Sequence, residues 1–178
     1  MEKTKIDLKS FIRDVPDFPK KGIIFKDITP LLKDRSAFKQ AIGALAEKFK
    51  DEDIDAVVSV ESRGFIVGSA LALKLDTGFV PVRKKGKLPY LTHSVTYSLE
   101  YGEDTLEMHQ DAIKKGDKVL IADDLLATGG TVAATIELVE KLGGKITGIV
   151  FLIELTALKG REKLKGHPIV SLIKDKYC

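Results

Sequence analysis

Two adjacent carboxylates, Asp123 and Asp124, stand at the end of the apolar run "KVLIADD", and the chain passes directly from them into "LLATGGT". Aspartates repel phosphate but accept hydrogen bonds from sugar hydroxyls. Ala127, Thr128, Gly129, Gly130 and Thr131 offer the opposite chemistry. A turn that opens a helix presents free backbone N–H groups and the positive end of the helix dipole. Glycines let the backbone approach an anion closely, and threonine hydroxyls add donors. A ligand with a phosphate monoester at one end and a ribose diol beside it satisfies both halves. Neither G-x-x-x-x-G-K-[ST] nor G-x-G-x-x-G lies near, which excludes a P-loop and a dinucleotide fingerprint. Taken alone, an Asp-Asp pair is equally a solvated strand end and Gly-Gly an ordinary turn.

Other residues with chemical potential follow similar breaks in the pattern. "VESRGF" places Glu61, Ser62 and Arg63 after a second apolar run, but Val60 occupies the first glycine position of G-x-S-x-G, which disfavours a serine hydrolase. "RKKGKLP" gathers Arg83, Lys84, Lys85 and Lys87, and "GIIF" sets Ile24 and Phe25 in an extended segment able to read a planar base. His93, His109 and His167 are scattered without H-E-x-x-H spacing, so protein-ligated zinc is not expected. Cys178 is the single cysteine, which rules out an intramolecular disulfide and a cysteine-based metal cluster and suits a reducing, cytoplasmic setting.

Alternating strand and helix patterns must position these residues. "IDAVVSV", "GFVPVR", "KVLIADD", "KITGIVFLIEL" and "HPIVSLI" read as strands. Phe38, Ile42, Leu45 and Phe49 mark a helix capped by Asp34, and "FIVGSALALKL" suits a helix packed on both sides. Residues 131–142 form a further helix with Val132, Ile136, Val139 and Leu142 inward, stopped by Gly143 and Gly144. Residues 4–13 suit a short helix, followed by an irregular, proline-punctuated segment. Residues 84–103 read as a hairpin-like excursion, whose length suits an active-site lid. The pattern gives one α/β domain over 1–178, without repeats or linkers. A net charge of +3 from 29 basic and 26 acidic residues gives no basis for nucleic-acid binding, and no apolar run reaches the roughly 18 residues of a membrane span. The charged, amphipathic N-terminus lacks the apolar core of a secretory signal.

The complete "VLIADDLLATGGT" resembles the signature with which type I phosphoribosyltransferases bind 5-phosphoribosyl-1-pyrophosphate (PRPP), and its "DDLLATGGT" form resembles the adenine-using members. "FPKKGIIFKDITPLL", "ESRGF", "RKKGKLP", "YSLEYG" and "ELTALKGREKL" resemble further segments of that family in the same order, so the likeness spans nearly the whole chain. It implies a mostly parallel five-stranded sheet flanked by helices, with a small N-terminal hood over roughly residues 1–30. It also implies transfer of the phosphoribosyl group of PRPP to adenine, giving AMP and pyrophosphate, as in purine salvage. By resemblance, Ala127–Thr131 take the 5′-phosphate and Asp123 and Asp124 the ribose. Glu61, Ser62, Arg63, Arg83 and Lys87 take pyrophosphate, Lys87 reaching a neighbouring subunit. Ile24, Phe25, Arg63 and Leu125 bind adenine, while Glu100, oriented by Tyr101, handles the N9 proton. Mg²⁺ is expected to arrive on PRPP oxygens and water without direct protein ligands, and a homodimer is expected from the family. Two alternatives remain: transfer to another nucleobase, and a non-catalytic PRPP-sensing regulator.

Overall fold

A computed structural model describes residues 6–98 and 102–176. The five sequence-predicted strands are present and mutually parallel: β3 (Ala56–Val60), β4 (Gly78–Lys84), β7 (Lys118–Leu126), β8 (Lys145–Leu155) and β9 (Ile169–Asp175). They run in the spatial order β4-β3-β7-β8-β9, with β3 and β7 central. Every residue of β3 is buried, as an apolar strand covered on both faces requires.

The sheet is wider than the five strands expected. An antiparallel hairpin, β5 (Thr92–Ser98) and β6 (Glu103–His109), adds to the free edge of β4 and brings the sheet to 7 strands. The pairing is short, Arg83 opposite Glu107 and Lys84 opposite Leu106, and it gives β4's end backbone partners that an edge strand lacks. The excursion thus continues past residue 103 as far as His109, because Leu106 and Met108 alternate inward and are buried.

The N-terminal region also departs from the expected short helix over 4–13 and irregular segment. Among the described residues of that stretch, 6–13, only one turn, Leu8–Phe11, is helical, and it is a 3₁₀ turn capped by the Asp7 carboxylate. A two-stranded antiparallel unit follows, β1 (Arg13–Pro16) with β2 (Ile24–Asp27), and then α1 (Thr29–Lys33). Its prolines act as punctuation without preventing pairing: Pro16 ends β1, and the Asp17 carboxylate accepts from Gly22 N–H at 2.7 Å to close the turn.

Helices cover both faces. α2 (Arg35–Glu47) begins as predicted at Asp34, whose carboxylate accepts from the N–H groups of Ser36 (2.9 Å) and Ala37 (2.8 Å), a cap that contributes about 1 kcal/mol. α3 (Arg63–Leu75) buries Val67, Gly68 and Leu71 against the sheet, but its outer face is not covered as "packed on both sides" implied, since Leu73 is 85% exposed. Gly68 permits this docking: a Cβ there would overlap the Ser59 hydroxyl, which donates to the Ala122 carbonyl at 2.6 Å. α4 (Gly130–Lys141) buries Val132, Ile136 and Val139, and Gly143 at φ +83° turns the chain away. Among the described residues, no helix is long and apolar enough to cross a membrane.

Candidate functional site

β3 and β7 are adjacent and parallel, so Glu61–Gly64, which follow β3, and Asp123–Thr131, the end of β7 and the loop after it, open at the same end of the sheet. Between them lies a cavity of about 440 Å³ lined by Phe25, Glu61, Ser62, Arg63, Gly64, Asp123, Asp124, Leu125 and Thr131. A smaller recess of about 80 Å³ is formed by Asp123 and Leu125–Val132. Glu61–Gly64 and Asp123–Thr131, some 60 positions apart in the chain, thus share one cavity because each group lies at the carboxyl end of a central strand.

In the smaller recess, Gly129 precedes α4 with φ +80°, a conformation glycine adopts without steric cost. The first N–H groups of α4 have no partner within the helix and are available to an anion. Two glycines hold the loop in place. A Cβ on Gly129 would lie 2.6 Å from the Gly160 carbonyl oxygen, and one on Gly160 would overlap the Ala127 carbonyl. Gly160 opens a short 3₁₀ segment, Gly160–Leu164, clamped to β8 by its next residue. The Arg161 guanidinium donates to both Glu154 carboxylate oxygens, at 2.6 and 2.7 Å, and also to Ser171 Oγ and the Ile169 carbonyl. The hydrogen bonds from Arg161 hold the Glu154 carboxyl below its usual range against the opposing effect of burial. Gly160 and Arg161 lie within "ELTALKGREKL", where the signal that could have given them a role is a glycine set inside a charged run.

Asp123 and Asp124 are both pushed toward protonation, chiefly by burial; for Asp123 the adjacent Asp124 charge adds to the effect. The Asp123 Oδ1 atom accepts from Asp124 N–H at 2.8 Å and lies where a Cβ on Gly64 would approach to 2.6 Å, so Gly64 leaves room for the carboxylate. Arg63 Nε lies 2.9 Å from Asp124 Oδ2. That oxygen and Arg63 Nη1 are nonetheless buried without an aligned hydrogen-bond partner among the described residues. Buried polar atoms are normally satisfied, so this pair marks a place where a polar ligand would be received.

Arg63 also spans to the opposite wall. Its guanidinium carbon sits 4.8 Å from the centre of the Phe25 ring, within cation–π range. Phe25 in turn meets Phe18 edge to face at 5.2 Å between centroids. Leu125 supplies an apolar wall of the same cavity, whereas Ile24, next to Phe25 on β2, pairs with Pro16 and is not among the lining residues.

The cationic cluster is organised by Glu61. Its carboxylate accepts from Lys84 N–H (2.6 Å), Lys87 Nζ (3.0 Å) and Arg83 Nη2 (3.3 Å). Burial opposes ionisation of Glu61, but these donors outweigh it and hold the carboxyl below its usual range. Glu61 therefore faces cations and keeps Arg83 and Lys87 beside the strand end that carries Ser62 and Arg63. Glu107, also buried, accepts from Gly86 N–H at 2.9 Å and fixes the turn between them. Glu100 and Tyr101 lie outside the described residues. Tyr97, on the strand leading to them, packs against the cluster under α4, and its hydroxyl lies 3.3 Å from Thr131 Oγ1.

The phosphoribosyl transferase domain family matches residues 31–176. The adenine phosphoribosyltransferase of Kosmotoga olearia is 62% identical over 168 residues, 94% of this chain and 99% of its own. The crystal structure of adenine phosphoribosyltransferase from Thermoanaerobacter pseudethanolicus superposes with a TM-score of 0.92 at 56% identity, covering 94% of this chain and 98% of that one. The Giardia lamblia enzyme complexed with 9-deazaadenine gives 0.91 at 42% identity, covering 96% and 97%. A glycine-bearing loop opening α4 beside paired aspartates, an arginine–phenylalanine contact across the same cavity and these likenesses lead to one assignment. The chain belongs to the phosphoribosyl transferase domain family, among the adenine phosphoribosyltransferases.

Proposed function

We propose that this protein transfers the 5-phosphoribosyl group of PRPP to adenine, releasing pyrophosphate and forming AMP in purine salvage. The observation that carries the reading is the juxtaposition, across two adjoining recesses that share Asp123, Leu125 and Thr131, of a helix-opening loop (Ala127–Thr131), a carboxylate pair (Asp123, Asp124) and an aromatic wall (Phe25) bridged by Arg63. Phosphate, ribose and base then fall in the order in which AMP carries them.

In this reading the 5′-phosphate sits on the first N–H groups of α4 with Thr128 and Thr131, and Asp123 and Asp124 accept from the ribose hydroxyls. Adenine lies between Phe25 and Leu125 with Ile24 beside them, and Arg63 serves the base and the pyrophosphate. Ser62, Arg83 and Lys87 face pyrophosphate, with Glu61 keeping the two cations in place until the anion displaces their contacts. As C1′ loses pyrophosphate it acquires oxocarbenium character, and cations fixed beforehand near the leaving group stabilise the charge that develops. Glu100 accepts the N9 proton, oriented by Tyr101, and residues 84–103 form the lid that excludes water while the sugar is reactive.

Bound together with PRPP, Mg²⁺ would supply charge neutralisation for the pyrophosphate, and Asp124 would hold it through a coordinated water without direct ligation. Asp124 Oδ2, buried without an aligned partner, fits a ribose hydroxyl or a metal-bound water as donor. We further propose one domain with a base-site hood over roughly the first 30 residues, in which β1 and β2 present Phe25, and a homodimer acting in the cytoplasm.

A base site matched to an exocyclic amine rejects a carbonyl analogue strongly, because a buried donor or acceptor would be left unpaired. Incubation with PRPP, Mg²⁺ and each nucleobase in turn tests the assignment: AMP forms from adenine, and comparable turnover of hypoxanthine would overturn adenine specificity. Absence of any nucleotide product, with PRPP still bound, would instead favour the PRPP-sensing regulator.

A further inference from the structure

The β5–β6 hairpin meets the loop before α4 through the Tyr97 side chain. Tyr97, next to last on β5, is half-buried; a Cβ on Gly130 would meet its ring at 3.5 Å, an ordinary packing distance. The Tyr97 hydroxyl lies 3.3 Å from Thr131 Oγ1, with either oxygen able to donate. Lys141, at the far end of α4, reaches the same strand by donating to the Ser94 carbonyl at 3.4 Å. β5 therefore lies along α4 and places a phenol directly behind a hydroxyl that lines the anion recess.

A bound phosphate monoester removes the ambiguity of that contact. A phosphate oxygen is an acceptor only, so Thr131 must donate its one proton to it. The Thr131 oxygen is then free to accept, and Tyr97 becomes the donor. The resulting chain, Tyr97 O–H to Thr131 O–H to phosphate, runs in one direction, and each donor polarises the next in a weakly solvated site. We propose that Tyr97 is a positioning residue for the 5′-phosphate, acting through Thr131. The proposal rests on the assignment of the 5′-phosphate to Ala127–Thr131.

Tyr97→Phe removes only the hydroxyl and keeps the ring on Gly130, while Thr131→Val removes the relay and keeps its shape. Calorimetric titration of AMP into the parent, both single variants and the double variant separates the possibilities. Loss of one relayed hydrogen bond weakens AMP binding roughly 3- to 10-fold in Tyr97→Phe. The KM for adenine changes less than about twofold because the base wall is untouched, and the melting temperature stays within about 2 °C. In the Thr131→Val background the Tyr97 substitution has no further effect on AMP, the coupling expected of residues acting in series. If Thr131→Val itself leaves AMP affinity unchanged, the phosphate assignment fails and the relay with it. If Thr131→Val weakens AMP but Tyr97→Phe does not, or if the Tyr97 effect persists without Thr131, the assignment stands and the relay is wrong.

Discussion

Gly129 and Gly130 are neighbours in one loop, yet the structure gives them opposite tolerances. Gly129 has φ +80°, and a methyl group there would press to 2.6 Å against the Gly160 carbonyl oxygen, a backbone atom held by the Arg161–Glu154 clamp. The left-handed conformation costs a non-glycine residue about 1–2 kcal/mol, and forcing a carbon into a filled space costs about 1–3 kcal/mol. Gly129→Ala should therefore lose about 3 kcal/mol, which for a chain of this length lowers the melting temperature by about 6–12 °C. A methyl on Gly130, the first residue of α4, meets the Tyr97 ring at 3.5 Å and the Ser98 carbonyl oxygen at 3.9 Å, both ordinary packing distances. Gly130→Ala should change stability by no more than about 1 kcal/mol, in the stabilising direction, because alanine loses less entropy on entering a helix. The loop N–H groups move with Gly129, so AMP affinity should fall about tenfold or more in Gly129→Ala, the effect of misaligning one charge-assisted hydrogen bond. Differential scanning calorimetry and AMP titration on the two variants test this together. A Gly129→Ala protein that melts within about 2 °C of the parent and keeps its AMP affinity would refute the account of the loop as a backbone wedged against Gly160.

Three further outcomes follow from the same geometry. Burial raises the Asp123 carboxyl above its usual range, so its ionisation opposes folding once the pH exceeds the unfolded value of about 3.9, and the penalty grows until the raised folded value is reached. Asp123→Asn should thus raise the melting temperature at pH 8, with the gain shrinking toward pH 4, while PRPP binding weakens; a gain independent of pH would exclude this cause. Glu154 is shifted the other way, so its clamp on Arg161 contributes stability above the ordinary glutamate range that disappears as the pH falls through the lowered folded value. Glu154→Gln should cost about 2 kcal/mol at pH 7 and flatten the acid limb below about pH 4.5, read from urea unfolding across pH; an unaltered limb would remove Glu154 from acid stability. Glu100→Gln should lower the single-turnover rate about 10²- to 10⁴-fold with AMP binding little changed, and a rate within about threefold of the parent would remove Glu100 as the general base.

The sequence determined the parallel strands, the Asp34 cap and the glycine turn that opens α4 beside Asp123 and Asp124, because each depends on periodicity or on a conformation that few residues adopt. "KVLIADD" can bury both faces only as a central strand, and glycines before a helix suit an anion irrespective of the rest of the chain. The tertiary structure decided what touches what. That β5 and β6 extend the sheet follows from the free edge of β4, which no local pattern near residue 100 reveals. That β1 and β2 pair despite prolines depends on a closed turn at Asp17–Gly22. Glu61 reads as an isolated acid in "VESRGF", and its role as the holder of Arg83 and Lys87 exists only because β3 and β4 run side by side. Gly160 and Tyr97 lie in "ELTALKGREKL" and "YSLEYG", but nothing in either run of residues shows what they touch. Their roles arise from close approach between segments far apart in sequence, and such contacts are specified by packing of the whole core and not by any local run of residues.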